Sequence, residues 1–196
     1  MNDRVFKHSN AHKLEDPERL KWMPPAEVLA RLHLKHGTRI ADIGAGTGYF
    51  SLPMARTLGA GGHVFAVDLQ QEMLDHLAKK LQQDESLANI SLHLGPADQL
   101  PLADSSVDVA FYANVWHEFD DREHVLREAT RVTVPHGRIA VLDWRYDRES
   151  PPGPPQGHRI SAESVVNFLQ TYGCKNVSCY NVGQYSYMIT ADMATE

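Results

Sequence analysis

Short apolar runs and amphipathic stretches take turns along this chain, and their two periods mark out strands and helices. Arg39 to Ile43, His63 to Asp68, Ile90 to Leu94, Val107 to Ala113 and Arg138 to Asp143 are mostly apolar runs of five to seven residues, the size of buried strands. Helical spacing appears between them over Tyr49 to Leu58, Gln70 to Gln83 and Arg122 to Val132; in the second of these Met73, Leu74, Leu77, Ala78 and Leu81 fall on one face. Pro53 lies inside the first of these helices and predicts a slight kink there. Upstream, Asp16 to Leu32 reads as helical, interrupted at Pro24-Pro25, where a second helix starts. Pro135-His136-Gly137 reads as a turn into the fifth strand, and Arg145 to Arg159, with four prolines and two glycines, as an irregular loop. A helix from Ala162 to Tyr172 and strands near Lys175 to Tyr180 and Tyr185 to Ala191 close the series. The alternation predicts an α/β, doubly wound, Rossmann-like fold: a mostly parallel seven-stranded sheet with helices on both faces and ligands outside the strand C-termini. Residues 1–196 read as one domain, with an N-terminal helical segment (1–37), a core (38–145) and a tail of loop, helix and strand pair (146–196).

The first strand carries the chemistry. It runs into Asp42-Ile43-Gly44-Ala45-Gly46-Thr47-Gly48, three glycines spaced by single residues, before the next helix. Glycines at Gly44 and Gly46 allow a sharp turn and a close ligand approach to main chain, and a helix N-terminus just beyond suits a carboxylate or phosphate. A dinucleotide fingerprint would place its third glycine at position 49, which is Tyr49. The second strand ends in Asp68, 20 residues after Gly48, the position from which a carboxylate takes both hydroxyls of a ribose. The third ends near a further acid, in Gly95-Pro96-Ala97-Asp98-Gln99-Leu100-Pro101, and the fourth ends at Asn114.

With these four motifs in order, the chain resembles the class I S-adenosylmethionine-dependent methyltransferases, in particular the small-molecule type with quinone- or sterol-methylating members. The matching sections are IADIGAGTG, VFAVDLQQEML, ADQLPLADSSVDVAF and EATRVTVPHGRIAVLD, over roughly residues 38 to 145. The resemblance makes 38–145 the cofactor-binding part. It implies S-adenosylmethionine as cofactor, S-adenosylhomocysteine as product, and a cofactor site made of Asp42, Gly44, Ala45, Gly46, Gly48, Asp68, Leu69, Met73, Asp98, Gln99 and Asn114. In it Asp68 holds the ribose, Asp98 accepts from the adenine amino group beside the main chain at Gln99, and Asn114 borders the methionine part. Asp68 has a plainer reading too, as a cap for the helix that follows.

The catalytic side is less marked. Methyl transfer from a sulfonium needs proximity, orientation and exclusion of water, and a base only if the acceptor arrives protonated. Trp116-His117-Glu118-Phe119 follows the fourth strand, Trp144-Arg145 the fifth, and His158-Arg159 closes the Pro-rich loop. His117 is the first candidate for a general base, standing at the mouth of the crevice, and His158 the second. Trp144, Arg145 and Arg159 are candidate acceptor contacts. The segment Pro151 to Arg159 reads as a lid over the acceptor, with Arg159 holding an anionic group, or as a stiff connector.

Composition narrows the rest. A net charge of −6 without a Lys/Arg cluster argues against nucleic acid and anionic membrane as partners, and no apolar run approaches a span of ~20 residues. The N-terminus lacks the apolar core of a signal peptide. Cys174 and Cys179 fall on opposite faces of one strand, so they do not pair locally, and a reducing, cytoplasmic setting follows. Eleven histidines give no HExxH spacing, and no metal is expected. The partner is a small-molecule acceptor; oligomeric state stays open, a homodimer among the options. The competing functions are a nicotinamide-dependent oxidoreductase, which Tyr49 and Asp98 argue against, and a cofactor-binding regulatory module without turnover. An amino-type nucleic-acid methyltransferase would carry Asn/Asp-Pro-Pro-aromatic where this chain reads Asn114-Val115-Trp116.

Overall fold

A computed structural model describes residues 5–148 and 153–194. Seven strands form one sheet: β1 (Arg39–Ile43), β2 (His63–Asp68), β3 (Ile90–Leu94), β4 (Val107–Ala113), β5 (Thr133–Trp144), β6 (Lys175–Val182) and β7 (Ser186–Asp192), in the order β3-β2-β1-β4-β5-β7-β6. β1 to β5 pair in parallel, and β7 is antiparallel to both β5 and β6. The chain winds outward from β1 to β3, then crosses back to β4. The order therefore reverses between β1 and β4, where their C-terminal ends part and leave a crevice.

Each strand feeds both faces, because successive side chains alternate. Ala41, Ile43, Ala110, Tyr112, Ile139 and Val141 face one layer, covered by α5 (Arg122–Val132) and α6 (Ala162–Thr171) through Val125, Ala129, Val165 and Leu169. Ile40, Val64, Ala66, Phe111 and Leu142 face the other, covered by α2 (Pro25–Leu32), α3 (Ser51–Leu58) and α4 (Gln71–Leu81) through Val28, Leu32, Met54 and Leu77. Both faces are apolar, which is why the strands read as continuous hydrophobic runs.

Three boundaries differ from the sequence reading, each for a physical reason. The helix after the glycine loop begins at Ser51, two residues past Tyr49, so Pro53 sits in its first turn, where a missing N–H loses no helical bond and no kink is called for. β5 begins at Thr133 and takes in Pro135-His136-Gly137, which bulge out between the pairs Val107↔Thr133 and Val109↔Arg138; His136 has φ +64°. The N-terminal segment is helical in pieces: a 3-10 helix at His8–Glu15, α1 at Arg19–Trp22, and α2. Pro151 and Pro152 of the expected lid lie outside the described residues.

Candidate functional site

A cavity of about 1070 Å³ opens at the C-terminal ends of β1, β2 and β4. That exceeds the roughly 300–1,000 Å³ of single-ligand sites, leaving room for a cofactor and a second small molecule.

Its inner wall is the turn after β1. Gly44 and Gly46 have φ of +76° and +55°, conformations that favour glycine. A Cβ on Gly44 would lie 2.5 Å from Val115 and one on Gly46 3.2 Å from Leu14. The glycines are thus demanded by the turn and by protein packing, and not only by an approaching ligand. The N–H groups of Gly44 and Ala45 both donate to the Val67 carbonyl (2.8 and 3.0 Å), that of Gly48 to the Ala45 carbonyl (3.0 Å), and that of Gly46 to Asp68 Oδ2 (2.8 Å). These four N–H groups are therefore spent within the protein.

The acids at the strand ends differ in what they can offer. Asp68 is buried in the cavity wall; its Oδ1 accepts from the Gln70 N–H (2.9 Å) and its Oδ2 from Gly46. A carboxylate has about four lone-pair sites, so Asp68 fixes the loop and keeps acceptor capacity toward the cavity. Burial pushes its pKa up, and the amides at Gln70 and Gly46 oppose that. Asp42 is more fully committed: its Oδ2 accepts the Ser51 hydroxyl at 2.5 Å, tying β1 to the start of α3, and burial raises its pKa to about 6. Ala45, Leu69, Met73, Asp98 and Asn114 also line the cavity; Gly48 and Gln99 do not, and a Cβ on Gly48 would meet Leu77 of α4 instead. Asn114 is held at φ +58° with its Oδ1 buried and without a partner. A donor from a ligand would satisfy it, as the ammonium of a methionine moiety does chemically. The residues therefore fit S-adenosylmethionine: a cavity acid with acceptor capacity at Asp68, a second acid lining the same cavity at Asp98, and a buried acceptor at Asn114 without a partner among the described residues.

A further stretch of the cavity wall, next to the glycine turn, holds a polar pair in an apolar setting. His117, 4% exposed, occupies a 3-10 turn (Trp116–Glu118) after β4 and is not at the mouth of the crevice as expected. Asp143, near the end of β5, receives the His117 N–H at Oδ2 (2.9 Å) and the ring Nδ1 at Oδ1 (2.8 Å); the Trp144 N–H also donates to Oδ1 (2.8 Å). Asp143 accepts, so in the neutral ring the proton sits on Nδ1 and the lone pair on Nε2. Burial disfavours the imidazolium, but the charge and hydrogen bond of Asp143, with Glu118 nearby, outweigh it and the pKa is raised. His117 Nε2 lies 4.0 Å from Glu118 Oε1. Burial lifts the Glu118 carboxyl to about 7, against the pull of His117 and the Phe6 N–H. Asp143 and Glu118 were not singled out in the sequence. An acid terminating a strand beside a Trp-His-Glu turn is the signal that could have found them.

The cover is the N-terminal segment. The Phe6 N–H donates to Glu118 Oε1 (3.1 Å), and the Gln70 side chain clasps the Phe6 carbonyl (2.8 Å) and the His8 N–H (2.9 Å). Val5, Phe6, Leu14, Arg19 and Trp22 reach the cavity from this side. The Pro-rich loop contributes Gly153, which lies against Trp144, and Pro154; Trp144 itself lines the cavity. Arg159 does not line the cavity: its Nε donates to the Pro154 carbonyl (2.9 Å) and its Nη1 to those of Arg148 (2.8 Å) and Arg145 (3.1 Å), stapling the loop. Arg145 bonds Asp147 (2.9 and 2.6 Å), and neither it nor His158 lines the cavity.

The family model described as "Methyltransferase domain" matches residues 41–141. The solved structure of a SAM-dependent methyltransferase from Aquifex aeolicus is 31% identical, with a TM-score of 0.90 over 97% of this chain and 100% of that one. The [4+2]-cyclase SpnF shares the fold at a TM-score of 0.75 with 18% identity, over 88% of this chain and 81% of its own. Among curated proteins, the demethylmenaquinone methyltransferase of Lactobacillus johnsonii is 32% identical over 113 residues, 58% of this chain and 46% of that protein. The chain spans about half the length of the curated relatives it matches. The match over the sheet and loop that shape the cavity, with a full-length likeness at 31% identity, places this chain in the class I S-adenosylmethionine-dependent methyltransferases.

Proposed function

We propose that this protein transfers a methyl group from S-adenosylmethionine to a small aromatic acceptor whose nucleophilic atom carries a proton. One observation carries the reading: the Asp68 and glycine-loop wall and the Asp143-held His117 line the same cavity. When bound, the cofactor supplies the electrophilic methyl. The chain's own residues do the rest. Asp68, Asp98 and Asn114 fix the cofactor's orientation; Phe6, Phe119, Trp144 and the N-terminal cover exclude water; His117 Nε2 takes the acceptor's proton as the new bond forms, while Asp143 holds the ring and steadies the imidazolium.

The aromatic lining, including the Trp22–Trp144 pair at 5.4 Å, favours a flat apolar acceptor. Demethylmenaquinone methyltransferases among the relatives suggest a hydroquinone-like ring. SpnF is a reminder that the fold alone does not decide the reaction. A single seven-stranded sheet supports reading 1–196 as one domain, and the free Cys174 and Cys179 suit a reducing, cytoplasmic setting. Among the described residues no helix is long and apolar enough to cross a membrane. The test is methyl transfer from labelled S-adenosylmethionine to a panel of hydroquinones, phenols, thiols, amines and carboxylic acids. Label on a hydroquinone or phenol, lost in His117→Ala, supports the reading. Tight S-adenosylhomocysteine binding with no labelled product from any class favours a binding module instead.

A further inference from the structure

Arg19, in α1, is a buried charge with no ion-pair partner among the described residues; Glu15, paired to Lys80, acts on it only at longer range. Arg19 is only 5% exposed and lines the cavity. Its Nη1 donates to the Leu14 carbonyl (2.8 Å), and its guanidinium lies 3.9 Å from the centre of the Tyr49 ring and 5.9 Å from that of Trp22. Among the described residues no carboxylate stands within ion-pair distance of it. The acids close by in sequence are already committed: Glu15 to Lys80 (2.7 Å), Glu18 to Lys21 (2.7 Å), and Asp16 to the Glu18 N–H (2.9 Å). A guanidinium keeps its charge in proteins, and a buried charge held only by a carbonyl and a ring face is costly unless something completes it. Burial lowers its pKa, opposed by Tyr49 and Glu15. The unused N–H groups form the planar fork that suits a carboxylate with two parallel bonds. Its ring neighbours line the cavity too: Tyr49 directly follows the glycine loop, and Trp22 packs on Trp144.

We propose that Arg19 is the carboxylate-recognition residue of this cavity, receiving the carboxylate of a bound small molecule, either the aminoacyl end of the cofactor or an acidic group on the acceptor. The inference rests on the reading that the cavity holds both molecules. Calorimetric titrations with S-adenosylhomocysteine and with its decarboxylated counterpart, S-adenosyl-3-thiopropylamine, test the first source. Thermal shifts of the S-adenosylhomocysteine complex with benzoate against benzamide test the second. Each is run on the wild type, Arg19→Met and Arg19→Lys. If the carboxylate is the cofactor's, Arg19→Met weakens S-adenosylhomocysteine by ~10-fold or more, leaves the decarboxylated compound unchanged, and Arg19→Lys restores part of the loss. If it is the acceptor's, S-adenosylhomocysteine binds all three proteins alike, and benzoate but not benzamide stabilises the wild type and not Arg19→Met. Equal affinities within both ligand pairs on the wild type overturn the proposal, even if Arg19→Met fails to fold. A wild type that binds no S-adenosylhomocysteine defeats the underlying cofactor reading separately, and leaves the benzoate arm to judge Arg19.

Discussion

At the Asp68 end of the cavity the wall comes from one stretch of chain: β1, its glycine turn, β2 and the amides that Asp68 collects are all within residues 39 to 70. At the His117 end the partners come from far apart. His117 meets Asp143, 26 residues on, and Glu118 meets the Phe6 N–H, 112 residues back. At the first end Asp68 bonds backbone N–H groups whose positions the turn dictates. At the second Asp143 and Glu118 also take backbone N–H groups, but Asp143 in addition holds the buried His117 ring, so loss of either partner leaves the other exposed to the full cost of burial. Cofactor binding should thus tolerate changes at the second end, while turnover should not.

Loss of the imidazole is the largest test of that contrast. His117→Ala should lower kcat by ~10²-fold or more, the scale of general-base catalysis, with S-adenosylhomocysteine affinity nearly unchanged. His117→Gln should be nearly as slow; recovery of the rate by Gln would mean that the residue only positions the acceptor. With the wild type, the rate should rise through a pKa above the ordinary ~6.5 of histidine, since Asp143 and Glu118 favour the imidazolium and the base must shed that proton. Asp143→Asn keeps the shape but removes the charge. The apparent pKa in the rate profile should fall, and kcat with it, because the amide can donate to Nδ1 and fix the wrong tautomer.

At the other end, Asp68→Ala should weaken S-adenosylhomocysteine by at least ~10-fold, because hydrogen bonds to a charged group contribute roughly 1.5–3 kcal/mol. It also unties Gly46, so the unliganded protein should lose some stability as well, measurable as a lower Tm. A Kd within twofold of wild type would break the contrast at its stronger side.

A smaller effect is expected on stability against pH. The folded-state pKa of His117 is raised, so its stabilising contribution is complete below ~6.5 and is lost as pH rises through the folded value. Glu118 and Asp42, lifted to about 7 and about 6, favour their protonated forms in the folded state and lose stability in the same direction as they ionise. The unliganded protein should therefore melt lower at pH 8 than at pH 5.5, by roughly 2–4 °C for each kcal/mol lost, and Glu118→Gln should flatten the slope. A Tm that climbs over that interval would contradict the assignment. The smallest effect belongs to Gln70→Ala, which opens the clasp on Phe6 and His8; S-adenosylhomocysteine should leave a few-fold faster with little change in Tm.

The contrast also decides what could be read from the chain beforehand. The seven strands and the turn after β1 were legible because Asp42 to Gly48 and Asp68 act through local geometry: a positive-φ turn favours glycine wherever it occurs, and an acid ending the neighbouring strand is placed to bond that turn. The finer reasons were not legible. That Gly46 meets Leu14, or that Gly44 packs against Val115, depends on which distant segment folds over the turn. The same limit applied to the acceptor wall. Arg159 and Arg145 looked like anion contacts because arginines near a crevice often are, yet the nearest carbonyls and Asp147 claim them. Arg19, in a stretch that reads as helix, is the arginine that lines the cavity among the described residues. His117 was named for its place after β4, but Asp143 looked like the plain end of a strand until β4 and β5 lay side by side.

The most direct measurement is the structure of the protein with S-adenosylhomocysteine bound. The ribose hydroxyls should lie on Asp68, the adenine amino group at Asp98, and the sulfur should point across the cavity toward His117 Nε2, with room for one acceptor between them. A cofactor seated with its ribose away from Asp68, or with its sulfur turned from His117, would contradict the account.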